Sequence, residues 1–347
     1  MRPAAGGRAG GVVLAATLAL VSALGCGAEF DPPSEVKSLR VLGVQKSRPY
    51  ADPGEEVDLN LLWHDGSPQA GRTIQTGFIG DCVNPPGDLY YGCFAQFAEK
   101  LQAGQALQAA PGDSFKVTLP RDIISGRGGP REPGQARYGL YIVFFIACAG
   151  QIDFVTDIDP SSTGLPVRCL DANDEPLGSE DFVVGYSSIY SFEGAQNTNP
   201  ALGETFRVAG KDVPADCRGI DCQSAPDVEL DCSQDADRCL KSCAKDGDPA
   251  CPAVEIEPQL DPSTVELDDV SSKLFKSRVT EQMWVNYYVD RGGISDVRLL
   301  NDTTSGWNEE FRGQLRAPKA AGALKVWAVV HDNRGGMDIA RVTLNVE

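Results

Sequence analysis

The residues of this chain that could do chemistry are its carboxylates, its cysteines and its two histidines. Between Asp227 and Asp269 acidic side chains crowd the sequence, and only Arg238, Lys241 and Lys245 oppose them. Calcium takes roughly six to eight oxygen ligands, which clustered carboxylates on a rigid loop can supply. Asp231, Asp235 and Asp237 are the nearest approach to such a set. They miss the EF-hand spacing, because Ala236 stands where that loop requires Gly and no Glu closes it. Asp290 and Asp332, in two turns that share an Asp-to-Gly-Gly pattern, are a second place for calcium. The competing readings are a solvated acidic surface and ordinary turn chemistry. Beyond this calcium, the sequence names no cofactor.

His64 and His331 each follow a strand pattern and precede an Asp. A hydrolytic triad would need one of them beside an activated Ser, and the chain has no G-x-S-x-G elbow. Both therefore read as strand-end histidines hydrogen-bonded in turns. The Gly-rich loop from Ser125 to Gly134 matches neither phosphate-binding pattern. Paired carboxylates of the glycosidase kind would be brought together by the fold, so spacing neither supports nor opposes them. The expectation is a protein without catalytic activity.

The chain has eleven cysteines. Setting Cys26 aside leaves two even groups. Cys82, Cys93, Cys148 and Cys169 lie in the first half, while Cys217, Cys222, Cys232, Cys239, Cys243 and Cys251 crowd a short stretch of the second. In an exported chain such parity implies disulfides. Cys82–Cys93 and Cys148–Cys169 are the expected pairs, since each closes a short Gly/Pro/Asp-rich excursion between strands. The other six admit roughly fifteen pairings, which the sequence leaves open. A zinc site is the alternative there, but the stretch has no nearby His and no C-x-x-C pair. Leu89-Tyr90-Tyr91 falls inside the Cys82–Cys93 loop. Tyr90 and Tyr91 are the candidate contact residues, because exposed Tyr offers large area at small entropic cost. The competing reading packs them against the sheet.

The elements that hold these residues are strands. Val57, Leu59, Leu61 and Trp63 alternate with mostly polar neighbours, and Phe115 to Leu119 repeats the pattern. Phe182, Val184, Tyr186, Tyr190 and Phe192 share one face of a longer strand. Leu140 to Cys148 is apolar throughout, as a central strand covered on both faces should be. The segment from Phe94 to Gln108 is the short helical candidate. In the second half, Trp284–Val289, Ile294–Leu300, Phe311–Leu315, Leu324–Val330 and Asp338–Val346 read as successive strands. The segments Asp290–Gly293 and Asp332–Gly336 read as hairpin turns. A polar Asn-Thr-Asn-Pro segment at 197–200 marks a boundary before the opening strand Phe206–Val208. The fold class is all-β, with two β-sandwich domains at 36–196 and 197–347 and a Cys-rich acidic insertion at 214–252 in the second.

Length and charge set outer limits. A chain of 347 residues is long enough for two domains. A formal charge of -18 repels phosphate backbones, so nucleic acid is excluded as a partner.

The N-terminus supplies an address. Arg2 and Arg8 precede an uncharged apolar run from Gly11 to Leu24, too short to span a bilayer. The run ends Val21-Ser22-Ala23-Leu24-Gly25-Cys26, which resembles the lipobox of bacterial lipoproteins. The resemblance implies a signal peptide at 1–25, cleavage before Cys26, and acyl chains on Cys26 that anchor the chain in lipid. Gly27 points to the outer membrane, with the periplasmic or outward side left open. Residues 26–35 then form a polar tether that lifts the first domain off the membrane. Arg40-Val41-Leu42 with Asp52-Pro53-Gly54, and Val326-Trp327-Ala328-Val329-Val330 with its Gly-Gly turn, resemble the immunoglobulin-like and PKD-like modules of bacterial surface lipoproteins. These resemblances imply a cell-surface or envelope binding protein, for adhesion or scaffolding, with a protein or glycan partner. An accessory subunit of a periplasmic envelope or secretion complex is one alternative, and a carbohydrate-active protein is another.

Overall fold

Period-2 alternation in the sequence becomes alternation in burial. Val57, Leu59 and Leu61 are buried while Glu56 and Asp58 are exposed, as a strand with one wet face requires. The computed structural model describes residues 32–69, 71–129, 135–155, 164–246, 248–295, 297–304 and 306–347. Cys26 and the apolar run before it lie outside the described residues. Pro33–Glu347 forms one compact unit, predominantly β and built of antiparallel sheets. Among the described residues, no helix is long and apolar enough to cross a membrane.

The first half contributes β1 (Leu39–Lys46), β2 (Glu56–Asp65), β3 (Gln75–Val83), α1 (Gly92–Gln102), β4 (Ala109–Pro111), β5 (Ser114–Thr118), β6 (Tyr138–Cys148), β7 (Gln151–Phe154), β8 (Val167–Leu170) and β9 (Phe182–Phe192). One sheet runs β1-β2-β5 and another β4-β3-β6-β9. Val44, Leu59, Leu61, Phe78, Val117, Val143 and Ile189, drawn from both sheets, form a shared core. The other side of β3 and β6 is covered too, by Phe97 of α1 and Val167 of β8 against Ile79, Ile142, Phe144 and Ile146. Burial on both faces explains the unbroken apolar run of β6. Cys82–Cys93 ties α1 to β3, and Cys148–Cys169 ties the end of β6 to β8.

The second half contributes β10 (Leu202–Val208), β11 (Lys211–Pro214), β12 (Cys217–Arg218), β13 (Cys239–Leu240), β14 (Val254–Leu260), α2 (Asp269–Phe275), β15 (Met283–Val289), β16 (Gly293–Ile294), β17 (Val297–Leu299), β18 (Asn301–Asp302), β19 (Gly306–Trp307), β20 (Gly313–Arg316), β21 (Gly322–Asp332) and β22 (Met337–Val346). Its sheets run β11-β10-β14-β20-β16 and β12-β22-β21-β15-β17, and they share a core that includes Phe206, Ile256, Tyr287, Leu315, Val326 and Val342. Tyr287 is fully buried in it, and its hydroxyl donates to Phe311 O at 2.8 Å. The six clustered cysteines pair with near neighbours: Cys217–Cys222, Cys232–Cys239 and Cys243–Cys251. They lie between β11 and β14, and the short strands β12 and β13 both pair with β22.

Two expectations are corrected here. The Asp332–Gly336 segment does close the β21–β22 hairpin, but Asp290–Gly293 closes none. It carries the chain from β15 in one sheet to β16 in the other, where β16 pairs with β20. Gly292 sits at φ +78, and a Cβ there would lie 2.5 Å from Arg316 O, so the position needs glycine for close approach as well as for its backbone angle. The end of the polar tether is also not a free spacer. Val36 N donates to Val289 O and Val289 N donates to Ser34 O, both at 2.8 Å, while Ser34 Oγ donates to Ile294 O. Ser34 and Val36 are buried. The segment adds to the end of β15 because Val36 has an apolar seat there.

That seat belongs to a contact between the halves. Trp327, Val329, Met337 and Ile339, on the side of β21–β22 away from its core, pack with Leu42, Leu62 and Val36. Polar bonds surround it. Asn199 Nδ2 donates to Lys46 O and its Oδ1 accepts from Met337 N. Arg334, only 6% exposed, reaches Glu281 and Glu266 at 2.6 Å each.

Candidate binding site

The candidate contact residues Tyr90 and Tyr91 stand at the entrance to α1. The helix is anchored through Cys93, Phe97 and Ala98, its buried residues. Phe97 meets the Phe144 ring edge-on at 5.6 Å, and Phe94 lies 5.9 Å from the same ring. With the disulfide at Cys93 this fixes the first turn of α1, and so the two tyrosines just before it. Tyr90 stacks on Tyr186 of β9 with centroids 4.9 Å apart and planes 22° from parallel, the offset arrangement that aromatic quadrupoles favour. Tyr91 is edge-on to Tyr90 at 5.8 Å. Tyr90, Tyr91, Tyr186 and Val184 are 41%, 55%, 48% and 44% exposed.

Between α1, β9 and the β8 region lies a groove of about 470 Å³. Its walls include Tyr90, Phe94, Phe144, Leu165, Val167, Phe182, Val184 and Tyr186, with no charged side chain among them. The exposed aromatic face of β9 follows from its partner strand. Gly185 pairs with Phe145 of β6, and a Cβ at Gly185 would lie 2.3 Å from that ring. The Phe145 ring takes the space on that side, so Ile189 and Ser191 face the shared core with it. Phe182, Val184 and Tyr186 are left on the face toward α1. At the far end of the strand the same face is closed: Tyr190 and Phe192 pack with Tyr50 and Tyr138, and Arg127 caps Tyr138 at 4.0 Å. The apolar alternation of β9 was legible in the sequence, whereas its exposure at Val184 and Tyr186 depends on what packs over each end of the strand.

The other candidate residues have other employment. Asp231 accepts from Ser233 N at 2.9 Å, a backbone bond that holds its carboxyl below the usual range. Asp235 accepts from Asp231 N, and Asp237 pairs with Lys211 at 2.7 Å. The three carboxylates serve turns and an ion pair. Among the described residues, no group of three or more His, Cys, Asp or Glu is placed to hold a metal. Asp332 is buried and accepts from Arg334 N, Gly336 N and Asn197 Nδ2. Asp290 accepts from Lys325 N, and burial raises its carboxyl.

His64 and His331 sit within strands and not in turns. His64 lies 4.7 Å from the Trp327 ring and His331 stacks on Trp284 at 5.4 Å. Burial pushes both imidazoles down to about 4, with Lys325 adding to the effect at His64 and Lys46 at His331. Both are neutral at pH 7 and serve as packing.

No family model matches the chain, and no curated protein matches it. Among solved structures, the dimeric latent PorU of Porphyromonas gingivalis matches at 10% identity with a TM-score of 0.18. The match covers 90% of this chain, which spans only 34% of that chain's length. A likeness at that score carries no statement about fold or function.

Proposed function

We propose that the protein is a lipid-anchored envelope protein that acts by binding another exported protein, without catalysis. Its two halves, 36–196 and 197–347, are read as β-sandwich domains, the second carrying the Cys-rich loop, and acylated Cys26 as the anchor. The observation that carries the binding role is the uncharged aromatic groove flanked by Tyr90 and Tyr186, held open on a disulfide-tied helix. Apolar patches rimmed by polar surface mark interaction sites. A groove without charge suits an aliphatic or aromatic side chain of a protein partner. It suits a glycan poorly, since hydroxyl groups buried there would lose hydrogen bonds to water and gain none. Aromatic anchors of this kind typically contribute about 2 kcal/mol or more to an interface.

The test is photo-crosslinking in intact cells from p-benzoylphenylalanine placed at Tyr90, with Lys211 on the other half as control position. The expected result is a discrete protein adduct from position 90, absent from position 211 and lost when Tyr186→Ala is added. A chain that folds and reaches the envelope yet gives no adduct from position 90 would refute the binding role of this groove. Replacement of Cys26 by Ala is expected to release the protein from the membrane fraction.

A further inference from the structure

A second depression, on the opposite half, has a different chemistry. It is about 300 Å³ in volume and lies over β10, β14 and the loop entering β20. Its floor is the pair Arg207 and Glu257, directly opposite each other in the β10–β14 register. Trp307, half-buried, forms one wall and is held edge-on by Phe311 at 5.7 Å. Gln259, Arg312, Asp212 and Glu309 are among its other lining residues. The depression continues past Glu257 into a further hollow of about 270 Å³ bounded by Gly210 and Glu255.

The charges on the floor are already paired with one another, and Glu309 at the exposed edge adds a further carboxylate, so the lining as a whole is net negative. Glu257 accepts from Arg207 at 3.5 Å and from Arg312 at 3.3 Å, while those guanidiniums also reach Asp212 and Glu255. An anion would have to break Glu257 away from its arginines and face the surplus carboxylate, and a cation on the floor would have to break an arginine away from its carboxylates, which leaves it only Glu309 at the exposed edge. An uncharged ligand rich in hydroxyls needs neither. It can accept from guanidinium N–H groups that remain unused, since Arg has five, and donate to carboxylate and amide oxygens with spare lone pairs. The indole offers an apolar plane beside these planar polar groups. A pyranose ring has that combination, with C–H groups on its faces and hydroxyls around its rim. The continuation along the strands gives room for more than one ring.

We infer that the groove walled by Trp307 and floored by Arg207, Glu257 and Arg312 binds a neutral carbohydrate chain. The inference is independent of the aromatic groove on the first half and of its protein partner. Affinity electrophoresis of the full mature chain through gels containing mixed-linkage β-glucan, galactomannan, xylan, hydroxyethylcellulose or starch tests it, with polygalacturonate as a charged comparison. The expected result is retardation by at least one neutral polymer, with affinity lowered about tenfold or more by Trp307→Ala, as for loss of an aromatic anchor. Tyr90→Ala should leave the retardation unchanged. No retardation in any neutral gel would overturn the inference, as would retardation by polygalacturonate alone or an undiminished effect in Trp307→Ala. If Trp307→Ala fails to fold by circular dichroism, Arg312→Ala, on an exposed side chain, decides in its place: undiminished retardation overturns the inference and weakened retardation supports it.

Discussion

Lys46 allows a sharp test of what a buried charge costs this fold. It is 3% exposed, and its ammonium donates to Ser188 O at 2.7 Å across the gap between β1 and β9. A Cβ on Gly335 of the β21–β22 turn would lie 3.0 Å from the same nitrogen. Burial pulls the Lys46 ammonium from 10.5 to about 8, with Asp332 acting the other way. The folded protein therefore binds fewer protons than the unfolded chain between about pH 8 and 10.5. Stability is held down below that window and rises as pH climbs through it. At pH 7 the charged, buried lysine costs about 3 kcal/mol. Lys46→Met removes that cost and also removes the donor to Ser188 O, a loss of about 1–1.5 kcal/mol. The variant should be about 1–2 kcal/mol more stable than the parent at pH 7. At pH 10 the parent has recovered most of its deficit, so the variant should be equal to it or less stable by up to about 1 kcal/mol. Urea unfolding of both proteins at the two pH values measures this. Taking the difference between proteins cancels tyrosines and other groups that titrate in both, provided the m-values agree. A variant less stable at pH 7, or a gap that does not change with pH, would refute the argument.

Two further outcomes are expected. Gly66→Ala would place a Cβ 1.8 Å from Val36 O, which is backbone and cannot turn aside, so thermal unfolding should show a loss of about 2–4 kcal/mol; wild-type stability would mean that the Ser34–Val36 segment is not seated on β15 in solution. Replacing Cys148 and Cys169 together by Ala opens a cross-link spanning 21 residues and should lower stability by about 3 kcal/mol in urea, and an unchanged midpoint would remove that disulfide from the account.

The strands were legible wherever a local pattern had only one physical solution. Alternation in Glu56–Asp65 and the unbroken apolar run before Cys148 each allow one kind of strand, half-covered or doubly covered. The two first-half disulfides were legible because each closes a short excursion from a strand end. Tyr90 and Tyr91 are exposed, and Tyr90 also packs on the sheet through Tyr186, a neighbour that the sequence did not single out. Tyr186 sits on an alternating face that reads as core, and the tertiary structure leaves that face half exposed at Val184 and Tyr186 while it packs Tyr190 and Phe192. Trp307 gave no signal of its own, because one Trp in a polar stretch becomes a wall only when β10 and β14 bring Arg207 and Glu257 beneath it. The turns at Asp290 and Asp332 have nearly the same residues and different uses. Local chemistry sets the positive φ of Gly292 and Gly335, but long-range pairing decides whether the next strand returns to the same sheet.

What the sequence determined by itself was therefore short-range. Strand periodicity, turn residues, cysteine parity and net charge follow from interactions within about ten residues, or from sums that ignore geometry. Tertiary structure alone decided which face of β9 is exposed, where Ser34 and Val36 attach, and which side chains meet around Trp307. Those outcomes depend on competition for space between segments distant in the chain, in an interior packed too densely to hold two side chains in one place.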